Sequence, residues 1–363
     1  MKKILFYARD PGSVNVTIPI INKLKCQSDF NLIVFAKEYA VARFEREGIG
    51  TEILLINSVE DAISVLNKEN PDIVITGSSL DDYTERYLWK ASEYLKIPSY
   101  AIMDQWILLG IRFSKYDYRG IEEYRSTLTH DYFPRRILVM DDVAKKRLIE
   151  DNVPEGNIIV TGQPHFDEVR RNYGLAEKKK KLSDVKTIVF ASEPKIKDGE
   201  VTHLGYSERS IFENILETVV FLSNKYNFKY SIIIRPHPRE NADSWSDILY
   251  NKDVFVDKET DSFTLMKNAD LVCGMSSMFL VEAAICRVPI VSCLIGLKSE
   301  SPFVFDQIGV YRSCRNREEL SDQIKKTLID GKPADLKVDF IENATDKTVK
   351  YIMEDMKNVH SGN

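Results

Sequence analysis

Short apolar runs alternate with helical patterns along this chain, and the alternation occurs twice. Such a repeat leaves few folds open. In the first half the pattern predicts strands over 3–8, 31–36, 52–56, 72–76, 98–103, 136–140 and 157–161. Helices are predicted over 14–25, 38–47, 59–68, 82–95 and 142–150, and the Tyr- and Arg-rich stretch 110–134 reads as irregular. The run Glu177-Lys178-Lys179-Lys180-Lys181 reads as a solvated linker. Beyond it the pattern restarts, with strands over 187–192, 229–235, 253–256, 270–273 and 288–293. The helices of this half are predicted over 207–225, 261–267, 277–286, 317–328 and 343–358. Strands separated by helices build βαβ units on a parallel sheet. Two such series in 363 residues make two doubly wound α/β domains of ordinary size. The expected division is 1–166, 180–340 and a terminal helical segment, 341–363, crossing back to the first domain. Ligands of such sheets sit beyond the C-terminal ends of the strands, so chemistry is sought there.

Composition removes several classes of function. Lys and Arg number 50 against 55 Asp and Glu, a net charge of −5. A generic nucleic-acid binder needs a basic surface to replace phosphate counterions, so none is expected. No window approaches 18 consecutive apolar residues, as a spanning helix requires. The apolar run after Met1-Lys2-Lys3 stops at Arg9-Asp10-Pro11-Gly12, too soon for a signal peptide. The five cysteines, Cys26, Cys273, Cys286, Cys293 and Cys314, form no C-x-x-C pair. A reducing, cytoplasmic compartment fits, and no metal site is expected.

The strand ends carry the candidate chemistry. Segment 231–240 ends its strand at Arg235-Pro236-His237-Pro238. Alternation along a strand sends Arg235 and His237 to one face, an arrangement suited to a phosphate. Ser276 and Ser277 open the helix that follows Gly274, beside free backbone N–H groups. Glu282, further along that helix, is placed to accept from ribose hydroxyls, and Glu193 is a similar donor-side candidate. In the first half Arg9-Asp10-Pro11-Gly12-Ser13 holds one glycine and is no dinucleotide fingerprint. Asp10 and Asp104, each just past a strand end, are both candidates for the general base of an acceptor hydroxyl. Gly12, Ser13, Ser78 and Arg112 are the acceptor-binding candidates. Arg112 belongs to a loop whose interleaved basic and aromatic residues suit an anionic acceptor or peripheral contact with the membrane's inner face. Packing of that loop on its own domain is the competing reading. Gly162 and Pro164 make a rigid turn at the junction of the halves, with Asp167 expected to cap the helix after it.

Two Rossmann-like halves joined near Thr161-Gly162-Gln163-Pro164-His165-Phe166-Asp167 resemble the GT-B glycosyltransferase architecture over nearly the whole chain, its two domains facing across a cleft. Arg235-Pro236-His237-Pro238 resembles the HP motif of bacterial capsule, sialyl and Kdo transferases and of CDP-glycerol glycerophosphotransferases. Ser276-Ser277 resembles their paired serines. The resemblance implies that His237, Ser276 and Ser277 hold the phosphate of a cytidine-nucleotide donor and that His237 assists the leaving group. It implies no cofactor, since the nucleotide sugar is a co-substrate. Three patterns depart from these families. Asp81-Asp82 is followed by Tyr83 rather than by glycine. Arg287-Val288-Pro289 stands where a glycine is common. The Gly-Gly-x-x-Glu-Glu pattern of UDP-GlcNAc 2-epimerases is absent.

The expected function is metal-independent transfer of a sugar from a nucleotide donor, with a CMP-sugar favoured, to a glycan or lipid-linked acceptor in surface polysaccharide synthesis. The alternatives are a sugar-nucleotide 2-epimerase, a CDP-polyol phosphotransferase, and a binding module without turnover.

Overall fold

The structure, a computed structural model, describes residues 1–178, 184–237, 240, 242–248, 251–336 and 340–361. Lys179, Lys180 and Lys181 of the charged run, and Pro238 of the Arg-Pro-His-Pro segment, lie outside the described residues. The chain divides into two compact units, Met1–Glu168 with Asp339–Asn363, and Val169–Val338.

In the first unit β1 (Lys2–Ala8), α1 (Pro11–Lys25), β2 (Phe30–Ala36), α2 (Tyr39–Arg46), β3 (Glu52–Ile53), α3 (Val59–Glu69), β4 (Ile73–Thr76) and α4 (Thr84–Leu95) follow one another. Next come β5 (Ser99–Ile102), α5 (Ile121–Thr127), β6 (Arg136–Val139), α6 (Asp142–Glu150) and β7 (Ile158–Val160). Helix α7 (Pro164–Leu175) starts in this unit and ends in the second. The seven strands are parallel, in the order β3-β2-β1-β4-β5-β6-β7. Strand β1 is central and buried on both faces, which is why it reads as an unbroken apolar run. Ile4, Phe6 and Ala8 pack into one core with α1, while Leu5 and Tyr7 face the other core with Ala62, Leu66, Leu88 and Ala91.

The second unit holds β8 (Lys186–Ala191), α8 (Val201–Leu204), α9 (Glu208–Tyr226), β9 (Tyr230–Arg235), β10 (Val254–Val256), α10 (Ser262–Asn268) and β11 (Leu271–Gly274). After these come α11 (Met278–Ile285), β12 (Ile290–Ser292), α12 (Val304–Gln307) and α13 (Arg317–Leu328). Its parallel sheet runs β10-β9-β8-β11-β12. The final helix, α14 (Ala344–Ser361), packs Val349, Ile352 and Met356 into the core of the first unit. Tyr100 and Arg135 both donate to Asp355 on it, at 2.9 and 2.8 Å. Among the described residues no helix is long and apolar enough to cross a membrane.

Three local expectations are corrected. The stretch 110–134 is not wholly irregular. It contains α5, whose burial rests on Tyr124 alone, so no apolar stripe announced it. The strand expected over 52–56 is only the two-residue β3, exposed at the sheet edge. Asp167 does not cap the helix around it, because α7 starts three residues earlier at Pro164, whose fixed φ suits a first helical position. Its carboxylate instead accepts from the backbone N–H of Thr345, in the first turn of α14, at 2.7 Å.

Candidate functional site

Each sheet has one point where the chain order reverses: between β1 and β4 in the first unit, and between β8 and β11 in the second. The strand ends at such points are where open parallel sheets bind ligands. The sequence candidates gather at these two places.

In the first unit, the turns after β1 and β4 press together. Asp10 caps α1, accepting from the Ser13 N–H at 2.8 Å, and Pro11 takes the first helical position. The turns approach so closely that a Cβ on Gly77 would lie 2.5 Å from the Cα of Ser13. The Ser13 hydroxyl donates to Glu85 at 3.0 Å, and the Ser79 backbone N–H donates to the other oxygen of the same carboxyl. Glu85 projects from the first turn of α4 and is completely buried. Burial, reinforced by the nearby charge of Asp10, pushes its carboxyl up to about 8 against the pull of the Ser79 and Ser13 donors. At neutral pH it is therefore largely the neutral acid.

Asp104 lies against this cluster from the end of β5. A Cβ on Gly12 would fall 1.9 Å from its Oδ2, so only glycine leaves the carboxylate room there. Arg112 donates through Nη1 to Asp104 Oδ1 at 3.1 Å, to the Ser78 hydroxyl at 3.2 Å and to the Ser78 carbonyl. Its Nε donates to the Leu108 carbonyl at 3.0 Å, and Leu108 itself sits in the left-handed region at φ 52°. Gln163 donates to the Asp104 carbonyl at 2.6 Å, bringing in the turn after β7. Burial raises the Asp104 carboxyl, Arg112 opposes that rise, and Asp10 adds to it; the net direction is upward. Asp10, Gly12, Ser13, Ser78, Asp104 and Arg112 thus share one locality. Beside them Asp82 accepts from Lys37 at 3.0 Å, Tyr7 at 3.2 Å and the Thr84 hydroxyl at 2.8 Å. Burial would raise the Asp82 carboxyl, but Thr84 and Lys37 outweigh it and hold it below its ordinary range.

In the second unit, Glu193 after β8 and Ser276 after β11 meet directly. The carboxylate accepts from the Ser276 N–H at 2.6 Å and from its hydroxyl at 2.9 Å. Lys195 reaches Glu193 at 3.6 Å and Glu200 at 2.8 Å. Ser277 caps α11 through the Phe279 N–H at 3.2 Å. Glu282 lies half-buried further along that helix. The Arg235 guanidinium donates to the Thr260 carbonyl at 2.8 Å and the Asp257 carbonyl at 3.3 Å, instead of standing free beside His237. Half-buried His237 is anchored by its backbone N–H, which donates to Glu240 at 2.6 Å; Glu240 also accepts from Ser192 at 2.9 Å. Sequence reasoning missed Glu240 and Lys195, and in the first unit Glu85 and Arg86.

The fold is shared with several solved structures. The UDP-GlcNAc 2-epimerase of Methanocaldococcus jannaschii is similar over 98% of this chain and 99% of its own, with a TM-score of 0.67 at 18% identity. The Neisseria meningitidis UDP-GlcNAc 2-epimerase, solved with UDP-GlcNAc bound, covers 98% and 100% at 0.61 and 16%. The MurG structure of Acinetobacter baumannii covers 98% and 100% at 0.56 and 11%. At these identities the likeness establishes the two-domain Rossmann-like fold of GT-B type. No curated protein matches the sequence. The model of one family, described as "Protein of unknown function (DUF354)", matches residues 165–357, more than half of the chain, and the chain belongs to that family.

Proposed function

We propose that this protein is a sugar-nucleotide glycosyltransferase whose second unit holds the donor and whose first unit supplies the base. The observation that carries the reading is the Asp10–Glu85–Asp104 cluster at the reversal point of the first sheet. Burial raises the proton affinity of the Glu85 and Asp104 carboxyls, and for Asp104 that suits a general base working near neutral pH. Asp104 takes the proton of the acceptor hydroxyl while Arg112 steadies its ionised form. The acceptor oxygen bonds to the anomeric carbon as the bond from that carbon to the donor phosphate breaks. The leaving phosphate, with the displaced electron pair, is met by the start of α11 at Ser276-Ser277 and by His237, with no metal required. Arg235 buttresses this grip through the turn at 257–260. A cytidine nucleotide is the favoured donor, on the likeness of Arg235-Pro236-His237-Pro238 and Ser276-Ser277 to the HP and paired-serine motifs. A glycan or lipid-linked acceptor in surface polysaccharide synthesis follows from the same likeness.

A second reading, 2-epimerisation of a UDP-sugar, is supported by the two epimerases of the same fold. One assay separates the readings. CMP- and UDP-sugars are incubated with the protein, with and without acceptor glycans, and the products are resolved by mass and NMR. Nucleotide release that depends on acceptor and disappears in Asp104→Asn supports transfer. Conversion of UDP-GlcNAc alone supports epimerisation, and a phosphodiester product would indicate transfer of a polyol phosphate. No turnover of any donor would overturn the enzymatic reading.

A further inference from the structure

Helix α4 carries a second buried charged residue next to Glu85. Arg86 is fully buried, and its guanidinium donates to three main-chain oxygens. Nε donates to the Arg112 carbonyl at 2.9 Å, and Nη2 donates to those of Leu80 at 3.1 Å and Ile111 at 3.3 Å. The guanidinium also lies 4.4 Å from the centre of the Tyr83 ring. Its Nη1 is buried without a partner. The charged and titratable groups around it are Tyr83, Glu85, Arg112 and Tyr132. No carboxylate forms an ion pair with it among the described residues, and Glu85 is largely neutral near pH 7.

A buried cation without a counter-charge is costly, and an apolar side chain would fill the same space without that cost. What arginine adds is reach: one planar fork holds several carbonyls at once, which an ammonium on a flexible stem cannot reproduce. The carbonyls held belong to two different loops. Leu80 is in the loop after β4; Ile111 and Arg112 are in the loop after β5. Arg112 is the residue whose own guanidinium contacts Asp104 and Ser78.

We propose that Arg86 is a positioning residue: it clamps the 110–112 turn to the 78–80 loop and so keeps the Arg112 guanidinium on the Asp104 carboxylate. The inference rests on the proposed function only in taking Asp104 as the base. The clamp itself does not depend on any reaction. Burial is the main cause that raises the proton affinity of Asp104; Arg112 opposes it and Asp10 adds to it, and Arg86 governs the Arg112 contribution by holding its peptide.

The test is a titration of Asp104 in the full chain without substrate. Side-chain carboxyl carbons of aspartate are labelled with carbon-13, and the Asp104 signal is assigned with Asp104→Asn. In Arg86→Lys, which keeps the charge but loses the fork, the Asp104 midpoint rises by about one unit, part of the one to three units an adjacent arginine is worth. Asp355, on α14, titrates unchanged and reports an intact fold. Arg86→Met gives the same rise. An Asp104 midpoint equal to wild type in a folded Arg86→Lys would overturn the inference. A measurement without any Arg86 variant guards against misfolding. In otherwise wild-type protein, Asp104→Asn shifts the Arg112 side-chain nitrogen signals and, through the shared peptide, the Arg86 Nε signal. An indifferent Arg86 signal would overturn the clamp. An unshifted Asp104 removes the clamp and leaves the enzymatic reading standing, whereas absence of turnover removes that reading and leaves the titrations as they are.

Discussion

Replacing Gly12 by alanine opposes two effects that can be weighed. Gly12 is the second residue of α1, and its φ is not in the left-handed region. On helix propensity alone, Gly12→Ala stabilises the protein by up to about 1 kcal/mol. The added Cβ, however, would lie 1.9 Å from Asp104 Oδ2 and 2.7 Å from its Cγ. Asp104 is fixed by Arg112 at 3.1 Å and cannot swing away without breaking that contact. Overpacking of this kind costs about 1–3 kcal/mol, so the net effect is a loss of about 1 kcal/mol. Gly174, in α7, is the internal control, because a Cβ there meets nothing within 4 Å. Gly174→Ala is expected to stabilise by up to about 1 kcal/mol. Urea unfolding of both variants, with unchanged m-values, reads the difference directly. In the assay for transfer, Gly12→Ala also displaces the proposed base and lowers turnover about a hundredfold. Gly12→Ala as stable as Gly174→Ala would refute the close approach of α1 to Asp104 and the site built on it.

Glu85 gives a pH signature. Its folded-state value of about 8 lies above the ordinary 4.5. The folded state therefore holds a proton that the unfolded chain releases between these values. The stability tied to that proton is complete below pH 4.5 and declines as pH rises through 8, at up to about 1.4 kcal/mol per unit. Glu85→Gln is expected to flatten this part of the stability–pH curve measured by urea unfolding. Asp355 acts in the opposite sense: burial opposes ionisation, but Arg135 and Tyr100 hold its carboxyl below the ordinary range. Its contribution is present above pH 3.8 and lost as pH falls. With allowance for solvent screening at the part-exposed Arg135, Asp355→Asn costs about 1–2 kcal/mol at pH 7 and less in acid. Glu193→Gln leaves an amide where the Ser276 N–H and hydroxyl both donate, and is expected to weaken nucleotide binding about tenfold by calorimetry, with Ser276→Ala close behind.

The architecture was legible because the central strands are buried on both faces and most of the longer helices carry their own periodicity. Strand β1 and helix α1 announce themselves through Ile4–Ala8 and the Asp10-Pro11 start. The Asp10, Gly12, Ser13, Ser78, Asp104 and Arg112 cluster was partly legible, because strand ends in a parallel sheet must converge near its reversal point. What the sequence hid was the pairing. Nothing in the spacing of Glu193 and Ser276 reveals that two distant turns hydrogen-bond, since that follows from β8 and β11 being neighbours. Glu85 and Arg86 lie inside the helix predicted over 82–95 and were not singled out there. Their signal was there: Glu85 shares a helical face with Trp89 and Ser92, all three buried, and a charged residue in a buried stripe calls for a partner. The contacts of Arg235 with the 257–260 turn were hidden for a related reason. Strand alternation gives the side on which a side chain leaves, but not whether the neighbouring turn at 257–260 offers it carbonyls.

Calorimetric titration of the full chain with CMP, CDP, UMP and UDP, repeated on Ser276→Ala and Glu193→Gln, tests the sugar-nucleotide reading most directly. Saturable binding of at least one of these nucleotides is expected, with cytidine forms preferred, and a loss of about tenfold in Glu193→Gln with Ser276→Ala close behind. Absence of binding by all four, or binding indifferent to both substitutions, would contradict that reading.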